Sequence, residues 1–279
     1  MSRPRNNHAE QAVLSENERI NAFYYNKTAS GYETTGRINQ TGNKARIRRL
    51  LSTLIAAKNV RVLDVCCGAG LYLSILKDFV EEENLFGIDI SSEMLKISAS
   101  YCRNVQLSSA YAIPFPDCTF DLVTCSSALH HLDSIPRALQ EIWRVLKPNG
   151  VFLSDYDNNV HFAKFKTLSR RLFKLLLVYP VLKKLLKSKP ASGKVGREGQ
   201  GIDPHSLERL PLEEVHKLAE AQNYHFDGIN GYRLKQMLKR AGFSQPEIFT
   251  YHSGRWNDGD GFNWVTSLTN NKIYSVSRK

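Results

Sequence analysis

The chain has 279 residues, 42% of them hydrophobic and 23% charged, with a formal net charge of +11. That is enough chain to bury a full core in one large domain, and the composition is that of an ordinary water-soluble globular protein. The charge excess is local: eleven of the 38 Lys and Arg residues lie between Asn158 and Arg197 without one Asp or Glu, leaving 27 cations against 27 anions elsewhere. This argues against nucleic-acid binding by a globally basic surface.

Taken in chain order, residues 1–45 are polar with scattered aromatics, among them Tyr24, Tyr25 and Tyr32, and are expected to form a helical arm over a sheet edge. Met1 to His8 lacks the apolar run of a signal peptide, and five cysteines, an odd number, fit a reducing compartment, so a cytoplasmic location is expected. Ile47, Leu50, Leu51, Leu54 and Ile55 recur at helical spacing ahead of the first strand. Strands are predicted near Arg61–Val65, Leu85–Asp89, Val105–Ser108, Leu122–Ser126 and Val151–Tyr156, and helices near Tyr72–Phe79, Glu93–Tyr101 and Ile135–Leu146. Asp133 or Ser134 would cap the last of these and Pro136 suits its first turn. Alternation of this kind predicts a parallel sheet. Tyr232–Phe243 reads as a helix ended by Gly242, and Pro246–His252 and Lys272–Ser277 read as two final strands.

The stretch Val62-Leu-Asp-Val-Cys-Cys-Gly-Ala-Gly-Leu-Tyr-Leu73 is a buried strand running into a glycine turn and a helix, and Leu85-Phe-Gly-Ile-Asp-Ile90 is a second strand ending on an acid. Gly68 and Gly70 allow a sharp bend with bare backbone N–H groups facing a ligand. Asp89 follows Gly70 by nineteen residues, the spacing at which nucleotide-binding α/β sheets grip ribose hydroxyls. Asp64, one strand over and ahead of the glycines, would repel a pyrophosphate and attract a cation. Cys66 and Cys67 are adjacent and have no matching pair at zinc-ligand spacing, which leaves no metal site among the expectations.

Together with Ile113-Pro-Phe-Pro-Asp-Cys-Thr-Phe-Asp-Leu-Val123, Leu129-His-His-Leu-Asp133 and Ala138–Leu153, that stretch resembles the ordered motifs of class I S-adenosylmethionine-dependent methyltransferases of the type 11 group. Cys66 stands where the family's first motif has a glycine. The resemblance implies a Rossmann-like, mostly parallel seven-stranded sheet with helices on both faces, and S-adenosylmethionine as cofactor with S-adenosylhomocysteine as product. It places Asp64, Cys66, Gly68 and Gly70 at the methionine end of the cofactor and Asp89 and Ile90 at the ribose. Met94, Ala110 and Tyr111 fall at the adenine, and Cys125 and Ser126 beside the sulfonium. The family's adenine-contacting acid is replaced by Ser109, which implies weaker binding of the base.

His130 and His131 follow the fourth strand, and Asp155 and Tyr156 end the fifth, so all four are expected at one cleft, with His131 the first candidate for a general base. Packing of a histidine against the next helix is an equal alternative. Tyr24, Tyr25 and Tyr32 are candidates for closing a substrate pocket. The domain reading is an arm over 1–45, a cofactor-binding core over 46–157, a basic helical insertion or lid over 158–230, and a core completion over 231–279. The insertion carries apolar stripes interleaved with cations and breaks near Tyr179-Pro180. Its uncharged run, Leu175–Leu182, is too short to span a bilayer. A lid, contact with anionic membrane through residues 160–190, and attraction of an acidic substrate or RNA are its three readings, in that order. The expected reaction is methyl transfer to a small-molecule or lipid-like acceptor. A tRNA-modifying methyltransferase is the alternative within catalysis, although Cys125-Ser-Ser-Ala128 stands where base-amino enzymes carry Asn-Pro-Pro-Tyr. A non-catalytic cofactor-binding or membrane-associated scaffold is the alternative outside it.

Overall fold

The computed structural model describes residues 14–32, 41–161, 204–221, 228–251, 260–261 and 272–279. The striped part of the expected insertion, with its break near Tyr179-Pro180, lies outside them. Five parallel strands come first: β1 (Val62–Val65), β2 (Leu85–Asp89), β3 (Asn104–Leu107), β4 (Phe120–Ser126) and β5 (Leu146–Asn158). Then follow β6 (Ser244–Tyr251), the two-residue β7 (Asp260–Gly261) and β8 (Lys272–Arg278). Their order across the sheet is β3-β2-β1-β4-β5-β8-β6-β7. β8 runs antiparallel between β5 and β6, which completes the seven-stranded Rossmann-like sheet, and β7 adds a short edge pairing.

The helices are α1 (Glu16–Tyr32), α2 (Thr41–Leu54), α3 (Leu73–Leu76), α4 (Ser92–Ser98), α5 (Ile135–Val145), α6 (Pro204–Leu207), α7 (Leu212–Ala221) and α8 (Gly231–Ala241). None among the described residues is long and apolar enough to cross a membrane. α5 buries Ile135, Ala138, Leu139, Ile142 and Val145, a stripe at helical spacing laid on the sheet. Its expected cap is not made: Ser134 caps without a side-chain bond, and Asp133 instead accepts from the Tyr111 hydroxyl. At α8, Asn230 accepts from the N–H groups of Tyr232 and Arg233. Gly242 closes the helix at φ 105°, where a β-carbon would also meet the Trp143 indole nitrogen at 2.8 Å.

Strand order reverses between β1 and β4, so a crevice opens above their carboxyl ends. α1 crosses this crevice. Ile20 packs with Leu207, Val215 and Ala219 of α6 and α7, while Ala29 packs with Ala69 and Met94 beside the glycine turn. A Ser15-x-x-Glu18 capping box starts the helix: Ser15 Oγ accepts from Glu18 N at 3.2 Å and Glu18 Oε2 accepts from Ser15 N at 2.9 Å.

Beneath the crevice lies a buried polar node. Asp155 of β5 is fully buried and accepts from Arg46 of α2, from the hydroxyl of Tyr72 at the turn, and from the hydroxyl of Tyr251 in β6 at 3.1 Å. The Arg46 guanidinium also lies 4.0 Å from the Tyr251 ring centroid. Burial alone would lower the Arg46 pKa, but the adjacent Asp155 carboxylate holds it well above its ordinary value. Truncating one partner of such a pair strands the other without water. Asp155→Ala is therefore expected to destabilise the protein by about 3–5 kcal/mol, read as a lowered urea midpoint. A loss under about 1 kcal/mol would show that the node does not hold α2, β5 and β6 together.

Candidate active site

The cavity at the crevice is walled by the turn after β1, the ends of β2 and β4, the loop after β3, and the inner face of α1. Cys66 adopts a left-handed φ of 57°, the conformation that a glycine takes there without steric cost. Gly68 faces the cavity. Gly70 does not: a β-carbon there would meet Ser98 Cα at 3.1 Å, so its smallness seats the turn on α4. The bare N–H groups expected of the turn are also largely spent on the protein itself. Cys67 N donates to Ile88 O at 3.0 Å, Gly70 N to Cys67 O at 2.9 Å, and Gly68 N to Asp89 Oδ2 at 2.9 Å. The turn is thus a mount for Asp89 more than an anion cradle.

Two carboxylates reach the cavity from the strand ends. Asp64 is 2% exposed and accepts from the Thr124 hydroxyl at 2.7 Å. Burial pushes its pKa up to about 7, with the Thr124 bond opposing and the Asp89 charge adding to the rise. Asp89 accepts from Gly68 N and, at 2.8 Å, from Ser91 N; burial raises its pKa against these backbone donors. Ile90, Met94 and Ala110 continue the wall as an apolar slot. Tyr111, expected beside them, is buried with its hydroxyl on Asp133 and lies outside the lining. Ser126 lines the opposite side, whereas Cys125 is in the core, where a hydrogen bond with Cys66 and then burial hold its thiol well above the ordinary range.

Of the four residues expected at one cleft, the structure brings His131 and Tyr156 to the cavity and keeps His130 and Asp155 from it. Asp155 is in the node because β5 continues past it to Asn158 and turns its side chain the other way. Tyr156 reaches the cavity with φ 66°. His131 Nε2 shares a hydrogen bond with the Tyr25 hydroxyl at 2.9 Å, and its ring packs on His130 at a tilt of 40° with centroids 4.0 Å apart. His130 Nδ1 lies 2.7 Å from Asp157 Oδ1, beneath the cavity wall. Removal from water, then the charges of His130 and His216, hold the His131 pKa well below 6.5, so the ring is neutral at pH 7. Tyr25 and Tyr32 line the cavity as expected; Tyr24 points away and packs on His216 with centroids 4.9 Å apart.

Sequence reasoning missed Asn17, Glu18 and Asn21, which present a polar face of α1 to the cavity. Their spacing, with Tyr25 four residues beyond Asn21, is the available signal for one helix face. It also missed Tyr72, whose ring lines the cavity while its hydroxyl reaches the node.

A model of the methyltransferase domain family matches residues 63–154. Demethylmenaquinone methyltransferase from Symbiobacterium thermophilum is 34% identical over 151 residues, which are 50% of this chain and 59% of that protein. The chain thus spans about three fifths of that relative's length. Among solved structures, an S-adenosylmethionine-dependent methyltransferase from Thermotoga maritima superposes with a TM-score of 0.55 at 16% identity, covering 92% of this chain and 99% of that one. Phosphoethanolamine N-methyltransferase 2 from Haemonchus contortus, solved with S-adenosylmethionine bound, gives 0.56 at 14% identity, covering 96% and 60%. Residues 63–154 belong to the methyltransferase domain family, and the chain has the fold of the class I S-adenosylmethionine-dependent methyltransferases.

Proposed function

We propose that this chain transfers the methyl group of S-adenosylmethionine to a small, lipid-like acceptor. The observation that carries the reading is the pair of buried carboxylates, Asp64 and Asp89, at the ends of adjacent strands in the switch-point crevice. Neither has a cationic partner among the described residues, and burial has raised both. A ligand with an ammonium group and a vicinal diol satisfies the two at once: Asp64 would hold the ammonium of the methionine end, and Asp89 the ribose hydroxyls. Gly68 and Cys66 flank the first; Ile90, Met94 and Ala110 would receive the base.

When bound, the cofactor supplies an activated sulfonium methyl, which leaves to the protein the alignment of an acceptor in line with it. Positioning of this kind is worth about 7–11 kcal/mol. α1 walls the cavity, and exclusion of water from around a bound ligand would strengthen the electrostatics inside. His131, neutral at pH 7, would take the acceptor's proton at a ring nitrogen, while the Tyr25 hydroxyl fixes the ring. The adjoining His130 ring and its Asp157 partner would steady the same imidazole. The apolar and aromatic lining from Leu132, Tyr25, Tyr32 and Tyr156 suits a flat, lipid-like acceptor. The relative from Symbiobacterium bears a name specifying demethylmenaquinone, a prenylated quinone, which supports that class. Contact of residues 160–190 with anionic membrane would complement such an acceptor.

Methylation of a panel of quinols and simple phenols, read as release of S-adenosylhomocysteine, tests the acceptor class; turnover on none of them, with cofactor binding intact, rejects it. His131→Ala should lower turnover by about 10²–10⁴-fold while the calorimetric affinity for S-adenosylhomocysteine stays within a few-fold. Unchanged turnover would remove His131 from the chemistry. Asp64 gives a pH signature. An ammonium binds only the ionised carboxyl, so below pH 7 the ligand must displace a proton. Affinity for S-adenosylhomocysteine should rise about tenfold per unit up to pH 7 and level off above it, and Asp64→Asn should flatten that slope. A flat profile in the unmodified protein would take Asp64 out of the site.

A further inference from the structure

α1 presents a polar face of Asn17, Glu18 and Asn21 to the cavity. The loop after β3 starts with Ser108 N donating to Asp89 O at 2.9 Å, which sets Ser109 and Ala110 next along the sheet from the ribose carboxylate. Ser109 Oγ accepts from Tyr111 N at 3.0 Å and donates to Glu18 Oε1. Glu18 is 6% exposed, and no Lys or Arg pairs with it among the described residues. Its two bonds, to Ser109 and to Ser15 N, leave each carboxylate oxygen a free lone pair. One helical turn on, Asn21 is 3% exposed, and its Nδ2 donates to Asn17 O at 2.9 Å and Asn17 Oδ1 at 3.2 Å. Those bonds fix the amide's orientation, because the flipped form would set two oxygens against each other. They leave Asn21 Oδ1 buried, at the cavity, with no donor.

We propose that Glu18 and Asn21 of α1 recognise the exocyclic amino group of adenine, so that the helical arm supplies the base-reading acid which the loop at Ser109 lacks. The inference rests on the cofactor reading above. Two buried acceptors three residues apart on one helix, one of them anionic, call for a donor in the ligand. Adenine has an amino group at position 6, whereas guanine and hypoxanthine present a carbonyl there, which an acceptor pair repels. The apolar slot of Ile90, Met94 and Ala110 offers the base faces no hydrogen bonds, which leaves its edge as the part that distinguishes one purine from another. Ser109 is then a positioning residue that holds the Glu18 carboxylate. The expectation that its hydroxyl weakens base recognition is replaced by a recognition element eighty residues or more away in sequence.

Calorimetry with two ligands decides this: S-adenosylhomocysteine, and its 6-deamino analogue carrying purine in place of adenine. The unmodified protein should bind the adenine ligand at least tenfold more tightly. Glu18→Gln keeps the capping box, since glutamine serves there equally, yet it should weaken the adenine ligand by about ten- to a hundredfold and the analogue by less than threefold. The preference then collapses toward unity. A purely structural Glu18 would weaken both ligands in parallel or neither, and either result overturns the proposal. Should Glu18→Gln fail to fold by circular dichroism, Asn21→Ala, which touches no capping group, must still cut the preference threefold or more; an unchanged ratio overturns it. Failure of the unmodified protein to bind either ligand would instead refute the cofactor reading.

Discussion

Desolvation of two carboxyl groups at the carboxyl ends of β1 and β2 is the constraint around which the rest of this molecule is arranged. Buried ionised acids are costly without a partner, and here the partners are neutral: a threonine hydroxyl for Asp64 and two backbone N–H groups for Asp89. The glycine turn makes sense in that light. Its bend brings Gly68 N to Asp89, and Gly70 lets the bend sit directly on α4. The two acids stand desolvated with no cationic partner among the described residues, and on the proposed reading a cationic, hydroxyl-bearing ligand would relieve both without rearranging the frame.

Such a site works only if its frame is stiff, and the node beneath it supplies stiffness from four directions. Asp155, Arg46, Tyr72 and Tyr251 come from β5, α2, the turn and β6, elements far apart in sequence. Tyr72 belongs to both systems, with its ring on the cavity and its hydroxyl on Asp155. Burial and the neighbouring Asp155 charge push its hydroxyl, like that of Tyr251, well above the ordinary tyrosine range, so both stay protonated donors. A node of directional hydrogen bonds fixes geometry in a way that an apolar contact, tolerant of sliding, does not, even with Arg46 Nε left unbonded.

The strands and the cavity acids were legible in the sequence because they rest on short-range facts. Apolar runs such as Val62–Val65 and Leu85–Asp89, set off by glycines, have few structural interpretations, and the spacing from Gly70 to Asp89 follows from the length of one helix and one strand. Side-chain direction was not legible. Asp155 and Tyr156 are neighbours that point to opposite sides of β5, and nothing local says which side the crevice takes once the strand extends to Asn158. His130 and His131 differ in the same way. The turn's N–H groups looked available because their acceptors, Ile88 O and Asp89 Oδ2, lie on a different strand. Glu18 was readable as half of a capping box, but its second role depends on contact with Ser109, a pairing across 91 positions that no periodicity encodes.

α1 lies outside the residues matched by the family model, yet it carries the groups that touch both ends of the site. Glu18 meets the loop after β3 and Tyr25 meets His131, seven residues on, about 10 Å along a helix axis. On the proposed reading, one helical segment would join the adenine edge to the candidate base. The same α1 placement that sets Glu18 on Ser109 sets the Tyr25 hydroxyl on His131 Nε2. On that reading, any favour that cofactor binding does to the acceptor side would be returned by the same factor. The packing of Ile20 on Leu207, Val215 and Ala219 places α6 and α7 behind this helix, so whatever shifts that pair acts on both halves of the site at once.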